Sequence, residues 1–355
     1  MREDTKKATG LPQKLVTAVV AALLSVPMLL SGTGKAEAAV TAGQATKALY
    51  EVKYANIQWY DPVYIADEKG WFEEEGLKIK WVGELPASQL VPAVASRNID
   101  FANRHTPLVL TANAGGAHLK IIAAGAQTTP ERPHMRYLVL KGSSIKTAKD
   151  FKGKKIGINS FGACSEYVLK EYLKRNGVDK DIQFVTIPDA NQEQALKQGL
   201  IDAAVLHSPF YEKAVKVGEV REVFNDYVVD KGLSGMLPYF THEDFIKEHP
   251  EVVRKFLKVL VRASNWTNAH HEEAGVIFAK RRGMDPQYSG SWSYYKDGIV
   301  ASDVQVQWWI DLLVREGKLK KGEIKASDTY TNEFNPYYKA AKPKTAKSKT
   351  KTAQR

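Results

Sequence analysis

The sequence has one cysteine, Cys164, in 355 residues, so no intrachain disulfide is possible. After the apolar run Leu15–Leu30 no second long apolar stretch occurs. No Lys-Ser/Thr follows a GxxxxG, which excludes a Walker loop, and GxSxG and HExxH are both missing. These absences remove nucleotide-triphosphate hydrolysis by a P-loop, α/β-hydrolase chemistry and zincin chemistry. Cys164 stands in no nucleophile motif. His270-His271-Glu272-Glu273 does not read as a metal site either, because adjacent histidines on a helix diverge. We expect no metal, no cofactor and no catalytic residues.

Acidic residues are missing from the C-terminal end. Of the formal net charge of +11, residues 339–355 hold +7 and residues 1–38 hold +2, which leaves +2 for the body. The high pI therefore reports a basic tail, which we expect to be disordered over 336–355, and not a nucleic-acid-binding face. At the other end, a basic start, the apolar run and the small-residue site Ala36-Glu37-Ala38 form a secretory signal with cleavage near Ala38. The run is shorter than the roughly 18–20 residues needed to span a bilayer. No cysteine stands directly after it at the cleavage site, so we expect a free exported protein. A mature chain of roughly 300 residues buries an adequate core without disulfides.

Between the ends, short β-type runs alternate with helical ones, as in parallel βαβ units. Strands are expected at 52–59, 77–82, 99–102, 119–124, 137–140, 155–158, 182–187, 201–206 and 220–224. The main helices are expected at 62–69, 85–96, 163–176, 190–198, 250–281 and 304–316, with further ones starting at Thr106 and Ser208. The stretch 233–240 returns the chain to the first half.

The phrase IDFANRHTP at 99–107 recurs as IDAAVLHSP at 201–209, with five identities and an offset of 102. The likeness extends upstream, LVPAVASRNID against EQALKQGLID, so it marks a domain-scale duplication. In each copy a strand ends and His, Thr or Ser, and Pro follow. Thr106 and Ser208 suit helix N-caps, and Pro107 and Pro209 suit the first helical position. Such corners lie at the carboxyl ends of strands, where unpaired helix N–H groups favour anions. A third corner, Asn159-Ser160-Phe161-Gly162-Ala163-Cys164-Ser165, offers hydroxyls and amides for oxyanions. In the loop Gln58-Trp59-Tyr60, Trp59 is either a cleft wall or core. Arg104 stands where the second copy has Leu206; it pairs either with a ligand's carboxylate, sulfonate or phosphate head or with a surface acid.

The segments WYDPVYIADEKGWFEEEGLKIKWV (59–82), LVPAVASRNIDFA (90–102), KTAKDFKGKKIGI (146–158) and LKQGLIDAAVLHSPF (196–210) resemble the substrate-binding proteins of ABC importers, within the nitrate/sulfonate/taurine group that also holds binders of thiamine pyrimidine precursors. The resemblance covers about residues 50–320; GWFEEEGL at 70–77 and DFKGKKIG at 150–157 are its most specific motifs. It implies an α/β chain with the type II periplasmic-binding-protein fold: lobe I over 48–133, lobe II over 134–230, and a return to lobe I with C-terminal helices over 231–335. The family's ligand loops fall on Gln58, Trp59 and Tyr60, on Arg104, His105 and Thr106, on Ser160, Phe161, Gly162 and Ala163, and on His207 and Ser208. Arg104-His105-Thr106-Pro107 and His207-Ser208-Pro209 depart from the family's GDTP and WDP. Histidines and an arginine in place of acids and an aromatic disfavour taurine and favour a purely anionic ligand: a sulfonate, a nitrate-like ion, or an aromatic carboxylate or sulfonate. The implied function is a monomeric periplasmic receptor that hands its ligand to a membrane permease. The alternatives are a binder of a thiamine pyrimidine precursor, a pyrimidine-synthase-like enzyme, and a ligand-sensing partner of a membrane kinase. The synthase branch uses a cysteine-rich iron motif that a lone Cys164 does not supply.

Overall fold

Alternating Leu77, Ile79 and Trp81 against lysines gives a strand with one wet face, and the computed structural model places it beside a parallel neighbour. The structure describes residues 48–178, 181–296 and 298–339. The signal-peptide expectation, and the basic tail beyond 339, lie outside the described residues. Strands are β1 (Tyr50–Asn56), β2 (Leu77–Glu84), β3 (Ala102–Asn103), β4 (Leu119–Gln127), β5 (Met135–Leu140), β6 (Lys155–Ile158), β7 (Gln183–Thr186), β8 (Ala203–His207), β9 (Val220–Asn225), β10 (Leu237–His242) and β11 (Ser293–Tyr294). Helices are α1 (Pro62–Glu68), α2 (Trp71–Glu74), α3 (Leu90–Ala95), α4 (Thr106–Ala114), α5 (Cys164–Arg175), α6 (Asp189–Lys197), α7 (Phe210–Val217), α8 (Tyr227–Asp230), α9 (Glu243–Glu248), α10 (Pro250–Ala269), α11 (His271–Arg281), α12 (Asp303–Arg315) and α13 (Ala326–Thr329). Among the described residues no helix is long and apolar enough to cross a membrane.

Two lobes result. The first holds the parallel pair β1–β2 and a sheet in the order β11-β4-β10-β3; the second holds β7-β6-β8-β5-β9. The parallel pairing expected of βαβ units does not extend to the strands where the chain changes lobe. β6 runs parallel to β7 and β8, but β5 runs antiparallel to both β8 and β9. β10, read from sequence only as a return segment, is a central strand of the first sheet and antiparallel to both neighbours. β5 and β10 each enter a lobe from the other lobe and not through a βαβ crossover within it, so each runs opposite to the βαβ strands.

The duplication has a backbone counterpart. In the first lobe Lys53 N donates to Asp100 Oδ2 at 2.7 Å while Asp100 N donates to Lys53 O at 2.9 Å. In the second lobe Lys155 N donates to Asp202 Oδ2 at 2.8 Å and Asp202 N to Lys155 O at 2.7 Å. Both residues of each pair are separated by the same offset of 102 from their counterparts. Ile99 and Ile201, beside these aspartates, are buried. The Ile-Asp halves are thus core and strand-edge clamps.

The chain crosses between lobes at 128–134 and 226–236, and the crossings are bonded to each other. Thr128 Oγ1 donates to Asp226 Oδ1 at 2.9 Å and accepts from His134 N at 2.6 Å. Burial, then the neighbouring Asp230 charge, raises the Asp226 carboxyl to about 7.

Candidate functional site

Four strand ends point at one region: β1 and β3 from the first lobe, β6 and β8 from the second. The helices that follow are capped differently from the sequence expectation. α4 begins at Thr106 with His105 in the cap position, and Thr106 Oγ1 donates to Met236 O at 3.3 Å. α7 begins at Phe210 after Pro209, and Ser208 Oγ donates to Glu212 Oε1 at 2.7 Å. Neither hydroxyl caps its helix; each is turned to an acceptor elsewhere. The true side-chain cap among these corners is Asp61, whose Oδ1 accepts from Val63 N at 2.9 Å.

Between the lobes lies a cavity of about 350 Å³. The first lobe contributes Gln58, Trp59, Glu84, Pro86 and Ala87; the second contributes Asn159, Pro188 and Asp189. Its two carboxylates are already engaged. Glu84 accepts from Gln58 Nε2 at 3.0 Å and pairs with Arg282 at 2.8 Å, which lowers its pKa. Asp189 Oδ1 lies 3.2 Å from His207 Nδ1, and its Oδ2 accepts from Asn159 Nδ2 at 3.1 Å. A larger depression, about 1160 Å³ against α12, shares no lining residue with this cavity.

Arg104 packs behind the cavity wall and is 1% exposed. Nε donates to Ala87 O at 3.1 Å, Nη2 donates across the cleft to Ser160 Oγ at 2.7 Å, and the guanidinium sits 5.2 Å from the Trp59 ring centroid. Both hydrogen-bond partners are neutral, and among the described residues no ion pair includes Arg104. Burial lowers its pKa to about 10, a guanidinium kept charged but poorly compensated. The surface salt bridge that the sequence left open for Arg104 is therefore not formed.

Trp59 is both core and wall: it is 5% exposed, lines the cavity, and donates Nε1 to Asn103 Oδ1 at 2.9 Å. Other expected ligand residues lie elsewhere. Tyr60 is fully buried, 2.7 Å from Thr267 Oγ1 and edge-on to Phe278, so it packs the first lobe's helices instead of the cleft. Phe161 is 59% exposed, its ring edge-on to Phe184. Gly162 N donates to Glu166 Oε2 at 2.8 Å, so α5 satisfies that amide with its own first-turn acid. Ala163 is buried in the cap position of α5.

The two repeated histidines meet at the bottom of the cleft with two residues the sequence did not bring together. His105, His134, Cys164 and His207 are all buried, and one donor atom from each lies within 4.8 Å of the others. Cys164 Sγ is 2.8 Å from His105 Nδ1. Burial holds the His105 and His134 imidazoles well below the usual histidine range, so both are neutral, and it pushes the Cys164 thiol well up. His270 and His271 do diverge: one Nδ1 lies 2.9 Å from Trp266 O, the other 3.0 Å from Ser291 Oγ.

The sequence reading missed Glu84, Pro188, Asp189, His134 and Cys164. Two of these had a signal. Pro86-Ala87 and Pro188-Asp189 are separated by the same offset of 102 as the repeated phrase, and all four line the cavity. Extending the repeat upstream finds them.

The fold and cleft define the class, a two-lobed periplasmic-binding-protein architecture. The chain belongs to the NMT1/THI5-like family, whose pattern it matches over residues 60–274. A Bacillus subtilis (strain 168) protein named for aliphatic sulfonates binding is 26% identical over 267 residues, 74% of this chain and 78% of that protein. A Candida albicans (strain WO-1) 4-amino-5-hydroxymethyl-2-methylpyrimidine phosphate synthase is 25% identical over 241 residues, 64% of this chain and 69% of that enzyme. The alkanesulfonate-binding protein SsuA from Xanthomonas axonopodis pv. citri, bound to MOPS, superposes with a TM-score of 0.66 at 19% identity, covering 79% of this chain and 98% of that one.

Proposed function

We propose that the protein is an exported solute receptor that captures a small organic or inorganic anion between its lobes and delivers it to the permease of an ABC importer. The observation that carries the anion is Arg104. Glu84 and Asp189 have counter-charges or hydrogen-bond donors at the cavity wall, whereas among the described residues the buried guanidinium bonds only to a carbonyl and a hydroxyl, with the Asp189 charge beyond ion-pair distance. An anionic head reaching it exchanges the Ser160 bond for a charge-assisted one, which is the stronger kind. Trp59, Pro86 and Pro188 supply an apolar wall suited to a short carbon chain or ring. On this reading the lobes close on the ligand without a chemical step, and the closed form is what the permease recognises. The sulfonate-binding relative supports the ligand class by its name alone.

A second reading is a thiamine pyrimidine precursor. Two carboxylates at the cavity suit the N–H groups of an aminopyrimidine, and relatives named as pyrimidine phosphate synthases lie in the same family. Thermal-shift titration separates the two, since a bound ligand raises the melting temperature by mass action. Alkanesulfonates, nitrate and aromatic acids are compared with aminopyrimidines on purified protein. A shift only with anions supports the first reading; a shift only with aminopyrimidines replaces it. Consumption of any pyrimidine precursor by the same sample ends the receptor reading in favour of an enzyme.

A further inference from the structure

We propose that His105, His134, Cys164 and His207 together bind one transition-metal ion of the zinc class, and that this ion ties the two lobes together at the bottom of the cleft. The inference goes beyond the solute reading and does not depend on it.

The first ground is geometry. The four donor atoms lie within 4.8 Å of one another. Tetrahedral zinc with bonds of about 2.0–2.3 Å sets its donors roughly 3.3–3.8 Å apart. The largest gap therefore closes by about an ångström, the scale of a side-chain adjustment. The imidazole rings already surround a common centre: His105–His134, His105–His207 and His134–His207 centroids lie 5.2, 5.6 and 4.9 Å apart.

The second ground is independent of the first. Buried polar atoms are normally hydrogen-bonded. Yet both ring nitrogens of His134, and Nε2 of His207, are buried without a hydrogen-bond partner among the described residues. His134 is 2% exposed and so is His207. Three unpartnered, buried imidazole nitrogens in one cluster are a poor use of histidine unless something else takes their lone pairs.

The third ground is the outer contact. Asp189 holds His207 Nδ1 at 3.2 Å and leaves Nε2 facing the cluster. A carboxylate behind a ligating imidazole fixes its tautomer and orientation, the usual support of a histidine on a metal.

Three imidazoles and a thiolate suit zinc-class ions and not magnesium or calcium, which take oxygen. With all four tetrahedral positions filled by the protein, the site is of the closed, structural type. Its donors come from the β3–α4 corner, the first crossing between lobes, the start of α5 and the end of β8. An ion there bridges both lobes and the crossing.

The full chain is purified, stripped with a chelator and titrated with Zn²⁺ by calorimetry. One equivalent binds, with a dissociation constant below about 1 μM. Co²⁺ in place of Zn²⁺ gives a thiolate-to-metal charge-transfer band and the intense visible bands of tetrahedral coordination. Cys164→Ser abolishes the charge-transfer band, and His134→Gln weakens Zn²⁺ binding at least 100-fold; circular dichroism checks that each is folded. His271→Gln, outside the cluster, binds as the parent does. The proposal is overturned by the lack of stoichiometric Zn²⁺ binding to the parent, by a six-coordinate cobalt spectrum, or by unchanged binding in His134→Gln.

Discussion

Arg104 Nη2 donates to Ser160 Oγ at 2.7 Å, and the two residues belong to different lobes. The bond joins a buried cation to a neutral hydroxyl across the cleft, with Trp59 under the guanidinium. Arg104 is also the position at which the repeated phrase differs most in charge, since its counterpart is Leu206. Leu206 is buried in the second lobe's apolar cluster. One corner of the duplicated fold thus stays structural, while the other carries a charge in search of a partner.

If that partner is the solute, Arg104→Ala weakens anion binding by about 1.5 kcal/mol or more, over tenfold in affinity, the scale of a hydrogen bond to a charged group. Arg104→Lys keeps the charge but loses the two-sided grip on Ala87 and Ser160, and falls between. Calorimetric titration with the anion that gives the largest thermal shift measures both. Equal affinity in Arg104→Ala and the parent removes Arg104 from the site.

Asp61 gives a pH dependence with a definite sign. Its carboxylate is fully buried, accepts from Tyr54, Asn103, Tyr239 and Val63 N at 2.6–2.9 Å, and is raised by burial to about 6 from 3.8. The folded state therefore holds the proton more tightly than the unfolded chain. Its contribution to stability is full below about pH 4 and is lost as pH rises through 6. The change is on the order of 3 kcal/mol. Asp61→Asn lacks this titration. The stability of the parent minus that of Asp61→Asn, from urea unfolding at each pH, falls between pH 4 and 7; a flat or rising difference contradicts the assignment.

Most of the alternation of strands and helices was legible, because periodicity and turn residues act locally. Pro62 at a helix start and the alternating Leu77–Trp81 both form as their sequence suggests. Strand direction was not legible where it depends on which lobe the chain has just left, as for β5 and β10. The Trp59–Gln58 wall was readable from its place after β1. The histidine–cysteine cluster was not, because its members are 29, 30 and 43 residues apart and only the folding of two lobes onto each other unites them. No local spacing rule for metal ligands covers such an arrangement.

The paired clamps Asp100 and Asp202 predict unequal costs for the same substitution. Each accepts a backbone N–H from a neighbouring strand, Asp100 from Lys53 within β1 and Asp202 from Lys155 at the start of β6. Asp100 is 5% exposed, whereas the Asp202 bond faces solvent. Asp100→Ala leaves a poorly hydrated donor at Lys53 N and costs about 1–3 kcal/mol; in Asp202→Ala water replaces the carboxylate and the cost stays below ~1 kcal/mol. Denaturant midpoints of the two variants test the order, and a greater loss in Asp202→Ala refutes it.

Gly125, in β4, is fixed by both backbone and space. Its φ is +70°, and a Cβ there would lie 2.0 Å from Leu237 O of β10. The obstacle is backbone, which cannot swing aside as a side chain does. Gly125→Ala must therefore part β4 from β10 or leave the left-handed conformation, and we expect a loss of more than ~3 kcal/mol. Gly142, where an added Cβ meets nothing within 4 Å, is the control; Gly142→Ala stays within about 0.5 kcal/mol of the parent. The β4–β10 pairing leads into both crossings, so Gly125→Ala also disturbs the Thr128–Asp226 bond and with it the relation of the lobes. Equal unfolding midpoints for the two alanine variants would show that β4 and β10 can separate without cost.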